Sequence, residues 1–164
     1  MKSYFARLKE NFLSFLDSFY SSVPKRRSYV HCGIRRKDDI RYKKILLVDD
    51  IPQYVENSLG AITNHYIAGE VTISMAYTYY DALEIFSDEK NDLVVLDFDL
   101  QDDVGDGTGL ARRFKQLHPD VVILANSKIK KYNNYLLESG AEFPLGKRVD
   151  LLLKWLSEND PIEE

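Results

Sequence analysis

The chain has 164 residues, of which 45% are apolar and 29% are charged, so it can form one domain with a sizeable core. These proportions exclude a wholly disordered chain, collagen and a repeat array. The single cysteine, Cys32, excludes an intramolecular disulfide and a cysteine-rich zinc site, which predicts a cytoplasmic protein. The net charge of −4 conceals a split, because residues 1–44 carry 12 basic and 4 acidic side chains.

Residues 1–21 are predicted to form an amphipathic helix. Apolar side chains recur on one face with a period of 3.6 residues, and charged side chains interrupt every apolar run well short of a membrane span. An apolar face of this width needs a covering surface. The sequence does not decide whether this covering surface belongs to the same domain, a second copy of the chain, a partner protein or a membrane. We expect self-association or docking through residues 3–20.

Residues 22–42 are predicted to form a basic linker. Nine basic residues lie in the stretch 25–44 against two acidic ones, and Pro24 and Gly33 interrupt regular structure. A solvated connector explains this composition best. Tyrosines between the arginines leave contact with nucleic acid or an anionic membrane as a less favoured alternative.

From residue 45 onward, short apolar runs alternate with helical patterns. Five strands are predicted at 45–48, 71–76, 93–96, 121–124 and 143–145. Five helices are predicted at 52–66, 81–86, 110–117, 130–139 and 151–156. This alternation predicts an α/β fold with a doubly wound, mainly parallel sheet of five strands. The site of such a fold lies at the carboxyl ends of the strands beside the switch point.

Aspartates follow two of these strands. Asp49 and Asp50 end the first strand, and Asp97 ends the third, with further acidic residues at 99, 102, 103 and 106. If the two strands are neighbours, three carboxylates share one crevice, and a divalent cation or a lysine normally offsets their repulsion. Hard oxygen ligands favour Mg²⁺. The alternative is that Asp49 and Asp50 only end a strand and cap the next helix.

Three segments, in this order, resemble the receiver domain of bacterial response regulators, the CheY-like family. Residues 43–52 hold the acidic pair and a proline, residues 92–100 hold the phosphoacceptor strand, and residues 140–147 run from Gly-Ala to a lysine. The resemblance covers residues 43–158 and implies a flavodoxin-like sheet with strand order 2-1-3-4-5. Residues 159–164 form an acidic tail, which leads us to expect output through a downstream protein partner rather than a following effector domain.

The resemblance also implies roles for individual residues in two-component signalling. Asp97 would accept a phosphoryl group from a histidine kinase or a histidine phosphotransfer protein. Asp50, Asp97 and the backbone carbonyl of Asp99 would bind Mg²⁺, with Asp49 acting through water, and Lys147 would pair with a phosphoryl oxygen. Since such proteins mainly position groups and neutralise charge, the chain is expected to be a phosphoacceptor signalling domain and not a separate enzyme.

Two positions depart from the receiver pattern. The usual spacing back from Lys147 places Ala125 at the serine or threonine position, and Pro144 at the position of the switch aromatic residue or histidine. A shifted register would place Ser127 and Phe143 there instead. We therefore expect a readout that does not use the common hydroxyl and aromatic switch.

Two other functions stay open on the sequence alone. A pseudo-receiver would keep the acidic crevice as a structural feature and act as a phosphorylation-independent binding or scaffold module, which Ala125 and Pro144 favour. A metal-dependent phosphatase of the haloacid dehalogenase type would use Asp97 and Asp99 as nucleophile and acid or base. This last function is less favoured, because in that family the paired aspartates follow the first strand of the core.

Overall fold

A computed structural model describes residues 28–31, 40–66, 71–101 and 104–161, with backbone alone for the first of these segments. The strands are β1 (Ser28–His31), β2 (Lys44–Val48), β3 (Val71–Ala76), β4 (Leu93–Leu96), β5 (Val122–Ala125) and β6 (Phe143–Pro144). The helices are α1 (Pro52–His65), α2 (Tyr79–Glu89), α3 (Gly107–Leu117), α4 (Lys130–Glu138) and α5 (Val149–Asn159). The predicted helix of residues 1–21 and the end of the acidic tail lie outside the described residues.

The strands form one six-stranded sheet in the order β1-β3-β2-β4-β5-β6. Strands β2 to β6 are parallel to one another, so the five predicted strands stand in the order 2-1-3-4-5. The five strands and five helices predicted from residue 45 onward are all present, with ends within three residues of the predicted ends. The flavodoxin-like fold expected from the sequence is therefore confirmed.

Strand β1 is a sixth strand, which the sequence pattern did not predict. It pairs antiparallel with β3, so that Ser28 lies opposite Ser74 and His31 lies opposite Val71. The strand falls inside residues 22–42, where composition indicated a linker. A run of four residues between basic clusters is too short to show a period of two, which explains why the pattern did not reveal it.

Alternate side chains of the parallel strands pack on opposite faces of the sheet. Ile45 and Leu47 of β2 join the core beneath α1 and α5, whereas Leu46 and Val48 join the core beneath α2, α3 and α4. All four are at most 1% exposed. Burial on both faces explains why the strands appear in the sequence as unbroken apolar runs.

Short local signals fix where the helices begin at the carboxyl end of the sheet. The Thr78 hydroxyl accepts a hydrogen bond from the Asp81 N–H (3.2 Å) and caps α2. Asp106 caps α3, because its carboxylate accepts hydrogen bonds from the N–H groups of Thr108 (2.9 Å) and Gly109 (3.1 Å). One member of the acidic loop therefore has a structural role.

Asp160 ties the two ends of the described domain together. Its buried carboxylate accepts hydrogen bonds from the N–H groups of Arg41 (3.1 Å) and Tyr42 (3.3 Å) and from the Tyr66 hydroxyl (2.8 Å). Its backbone oxygen lies 2.9 Å from Nε2 of His65. The core thus extends slightly beyond residues 43–158, the span of the resemblance.

We expect Asp160→Ala to lower the free energy of unfolding by about 2–4 kcal/mol, because several donors in a buried place lose their acceptor together. Urea unfolding followed by circular dichroism measures the change. Asp120→Ala removes an exposed carboxylate and serves as the control. If the two variants lose equal stability, Asp160 does not join the chain ends.

Candidate functional site

The sheet topology places the aspartates side by side. Strands β2 and β4 are neighbours, with Val48 opposite Leu96, so Asp49 and Asp97 follow at the same edge of the sheet. The Asp97 N–H donates to the Val48 carbonyl (2.9 Å), which continues the ladder to this point. One carboxylate oxygen from each of Asp49, Asp50 and Asp97 lies within 4.8 Å of the others. The structure thus brings the three predicted carboxylates together.

Lys147 is the cation of this cluster. Its Nζ donates hydrogen bonds to Oδ2 of Asp97 (2.8 Å) and to Oδ2 of Asp49, and its side chain is 5% exposed. The residue has a φ of +60°, in the left-handed region that side chains other than glycine seldom adopt. The Lys147 N–H donates to Oδ1 of buried Asn126 (3.0 Å), and this bond stabilises the unusual backbone.

Asp97 is held at both of its oxygens. Oδ1 accepts a hydrogen bond from the Phe98 N–H (2.8 Å), and Oδ2 accepts the bond from Lys147. The residue is only 4% exposed. The Phe98 ring, one residue along the chain, stacks on Tyr132 of α4 with ring centroids 4.1 Å apart. The carboxylate therefore has a fixed orientation and a direct connection to α4.

Burial dominates the electrostatics of the cluster. It raises the pKa of Asp49 to about 6, against the opposing hydrogen bond from Lys147, and the nearby Asp97 adds to the rise. Burial also raises the pKa of Asp50 and of Asp97. Three acids that share one lysine leave a surplus of negative charge. Because the donors are hard carboxylate oxygens close together, these residues fit a Mg²⁺ ion.

An open crevice lies above the cluster. Its volume of about 150 Å³ is comparable to that of about five water molecules. It opens between the beginning of α1 and the loop from β5 to α4. The lining residues are Asp50, Ile51, Tyr54, Asp97, Asp99, Gln101, Ser127, Lys128, Ile129, Tyr132 and Lys147.

Comparisons with known proteins decide the fold. No family model and no curated protein sequence matches this chain. A receiver domain of NtrX from Brucella abortus is 24% identical, with a TM-score of 0.59 over 71% of this chain and 97% of that one. A CheY-like receiver domain protein from Methanospirillum hungatei JF-1 is 21% identical, with a TM-score of 0.60 over 71% and 91%. This chain has the receiver-domain fold.

A third structure with the receiver fold has a modified aspartate. It is a response regulator protein from Burkholderia pseudomallei that contains a phosphorylated aspartic acid, a calcium ion and citrate. It is 20% identical, with a TM-score of 0.57 over 72% of this chain and 68% of that one. In the described part of the present receiver fold, no helix is long and apolar enough to span a bilayer.

The receiver fold places the four switch-position residues in different surroundings. Ala125 is fully buried in β5 opposite Leu96, and Pro144 is exposed in β6. Phe143 packs against the core beneath α1 and α5. Ser127 is buried and lines the crevice with Asp97. Of the four, therefore, only Ser127 lines the crevice above the carboxylate cluster.

Two acidic residues of the loop after β4, Asp99 and Asp106, lie outside the cluster of three carboxylates. The exposed Asp99 carboxylate accepts a hydrogen bond from the Gln101 N–H (3.2 Å), and Asp106 is occupied as the cap of α3. Residues 102 and 103 lie outside the described residues. Asp99 lines the crevice but is not one of the three clustered carboxylates.

Three residues at the site were not predicted from the sequence. Asn126 holds the Lys147 backbone, and Tyr54 lies beneath two ammonium groups, those of Lys147 (4.1 Å from the ring centroid) and Lys128 (4.7 Å). The one available signal is the place of Tyr54 in the first turn of a helix that follows the acidic pair. Asn126 and Lys128 flank Ser127, which the shifted register had named.

Gly107 lies where α3 approaches Asp97. A Cβ at this position would lie 2.1 Å from the Asp97 carbonyl oxygen, and the Gly107 N–H donates to the Phe98 carbonyl (2.8 Å). We expect Gly107→Ala to lower the free energy of unfolding by about 3 kcal/mol, because the backbone beside Asp97 must move. Chemical denaturation measures this change.

The matched control for this prediction is Gly60→Ala. Gly60 lies within α1, and a Cβ at this position would have nothing within 4 Å, so alanine should stabilise the helix by about 1 kcal/mol. Equal effects of the two substitutions would contradict the close approach of α3 to Asp97.

Proposed function

We propose that this chain is a receiver of two-component signalling that accepts a phosphoryl group on Asp97 in a Mg²⁺-dependent reaction. The observation that carries the proposal is the setting of Asp97 itself. This buried carboxylate ends a central strand, bonds to Lys147 at 2.8 Å and lies within 4.8 Å of two further carboxylates. The receiver fold supports the same proposal, and one protein of this fold contains a phosphorylated aspartic acid.

The proposed step needs a nucleophile, charge neutralisation and a leaving group. An oxygen of Asp97 forms a bond to phosphorus while the bond from phosphorus to the donor breaks, and the donor leaves with that electron pair. Lys147 neutralises charge on a phosphoryl oxygen. Mg²⁺ would be held by Asp50, Asp97 and the backbone carbonyl of Asp99, with Asp49 acting through water, and would neutralise further charge on the phosphoryl oxygens.

The donor is proposed to be a histidine kinase or a histidine phosphotransfer protein, and the output to be contact with a downstream protein partner. Ser127 is the proposed hydroxyl contact of the phosphoryl group. Its Oγ accepts a hydrogen bond from the Ile129 N–H (3.3 Å), and no hydrogen bond from its own proton is found in the described part of the chain. Ala125 offers no hydroxyl, so the contact is expected two residues later than usual.

Incubation with acetyl phosphate and Mg²⁺, followed by intact mass measurement, tests the proposal. We expect one added phosphoryl group on the full chain, no addition in EDTA and no addition to Asp97→Asn. Asp99→Asn is the matched control, because it removes a nearby exposed carboxylate outside the cluster and should still be modified. A phosphoryl group that persists in Asp97→Asn would refute the assignment.

The pseudo-receiver is the second candidate, favoured by Ala125 and Pro144. It predicts no phosphoryl addition to the wild-type chain and unchanged partner binding by Asp97→Asn. The pseudo-receiver would be excluded if the wild-type chain is phosphorylated on Asp97 and Asp97→Asn binds its partner differently from the wild type. The haloacid dehalogenase type of reaction would require turnover of p-nitrophenyl phosphate that depends on Asp99.

A further inference from the structure

Lys128 places a second ammonium group at the mouth of the crevice. It lies in the loop between β5 and α4, and its side chain lines the crevice with Asp97 and Lys147. Its Nζ is 4.7 Å from the centroid of the Tyr54 ring, and Nζ of Lys147 is 4.1 Å from the same centroid. Two lysines therefore share one aromatic ring at the opening above Asp97.

The two lysines differ in their partners. Lys147 bonds to two carboxylates, whereas no carboxylate oxygen of the described residues lies within 4 Å of Nζ of Lys128. The contact of Lys128 with Tyr54 is a cation–π interaction at an exposed side chain, which is weak compared with a hydrogen bond between two charged groups. An anion in the crevice can thus draw Lys128 away from the ring.

A phosphoryl group on Asp97 would leave the site with a net negative charge. A phosphoryl group carries close to two negative charges, and it replaces the single charge of the Asp97 carboxylate. With Asp49 and Asp50 ionised, one Mg²⁺ ion and Lys147 leave about one negative charge uncompensated. Ser127, the proposed hydroxyl contact, lines the crevice but is uncharged, so it does not offset this charge.

We infer that Lys128 is a second phosphoryl-binding lysine, whose ammonium group leaves Tyr54 and donates hydrogen bonds to the phosphoryl oxygens on Asp97. This inference rests on the proposed function of Asp97. Lys128 neutralises the remaining charge as the bond from the Asp97 oxygen to phosphorus forms and acetate, in the reaction with acetyl phosphate, leaves with the electron pair. No proton is transferred in this step.

The rate of phosphorylation by acetyl phosphate at saturating Mg²⁺ tests the inference. We expect Lys128→Gln to slow the reaction by at least about ten-fold, as loss of a hydrogen bond to a charged group would. Lys128→Arg should restore most of the rate because it keeps the charge. Lys130→Gln is the matched control: it removes another exposed lysine, two residues away, that does not line the crevice.

The outcomes separate the two proposals. A wild-type chain that gains no phosphoryl group overturns the proposed function and the inference with it. A wild-type chain that is modified at the same rate as Lys128→Gln overturns the inference alone. Equal slowing by Lys128→Gln and Lys130→Gln also overturns it, because the effect would then come from general surface charge. Mg²⁺ affinity should be the same in all four proteins.

Discussion

Lys147→Met is expected to lower the free energy of unfolding by about 3–5 kcal/mol in EDTA at pH 8, because two buried carboxylates lose their common cation. The backbone is not a confounding factor, since methionine has the same difficulty as lysine at a φ of +60°. Guanidinium unfolding measures the loss. At pH 5 we expect a smaller loss, because Asp49, whose pKa is raised to about 6 by burial, is then largely protonated.

Lys154→Met is the control for this prediction. The Lys154 side chain is 70% exposed and lies 3.8 Å from Glu158, so its loss should change stability little. A Lys147→Met chain that loses no more stability than the control, or loses equal amounts at pH 5 and pH 8, would show that the lysine does not hold the carboxylate cluster together.

Asp50→Asn is expected to raise the stability of the metal-free protein by about 1 kcal/mol and to abolish its stabilisation by Mg²⁺. Burial, and after it repulsion from Asp97, raises the pKa of Asp50, so removal of this negative charge relieves both costs. For the wild type, Mg²⁺ at one hundred times its dissociation constant should contribute about 2.7 kcal/mol. Thermal unfolding with Mg²⁺ and with EDTA compares the two proteins.

The pH dependence of the wild type gives a second measurement of the same cluster. Burial raises the pKa of Asp49 from 3.8 in the unfolded chain to about 6 in the folded protein, so the folded state binds this proton more tightly. In EDTA, Asp49 therefore makes the free energy of unfolding fall as the pH rises from near 3.8 to about 6. Asp120→Asn should keep both this dependence and the Mg²⁺ effect. A variant Asp50→Asn that Mg²⁺ still stabilises would contradict its place among the ligands.

The fold could be predicted from the sequence because the pattern of apolar residues that marks each strand and helix is local and recurs along the chain. Unbroken apolar runs such as 45–48 and 93–96 indicate strands that are buried on both faces of a sheet. The resemblance to receiver domains then predicts the order of those strands. The convergence of Asp49 and Asp97 follows in turn from parallel neighbouring strands. That part of the site is fixed by topology, which patterns in a sequence can indicate.

The remaining contacts depend on how loops approach one another in three dimensions. The bond from Asn126 to the Lys147 backbone joins residues 21 positions apart, and Lys128 contacts a ring on α1. No period or motif encodes such approaches. For the same reason, residue spacing did not decide whether Ala125 or Ser127 occupies the hydroxyl position. Strand β1 was also missed, because it pairs with β3 through backbone hydrogen bonds, which leave no pattern of side chains in the sequence.

The direction of β1 decides where the preceding chain enters the domain. Since β1 runs against β3 and Ser28 lies opposite Ser74, the strand begins toward the end of the sheet that carries Asp49 and Asp97. Two strand spacings, roughly 10 Å, separate β1 from β2 across the sheet. The first 27 residues hold six basic and two acidic side chains, a net charge of +4. A positively charged stretch of sequence therefore comes directly before a strand that begins toward the edge of the sheet where the carboxylates of Asp49 and Asp97 lie.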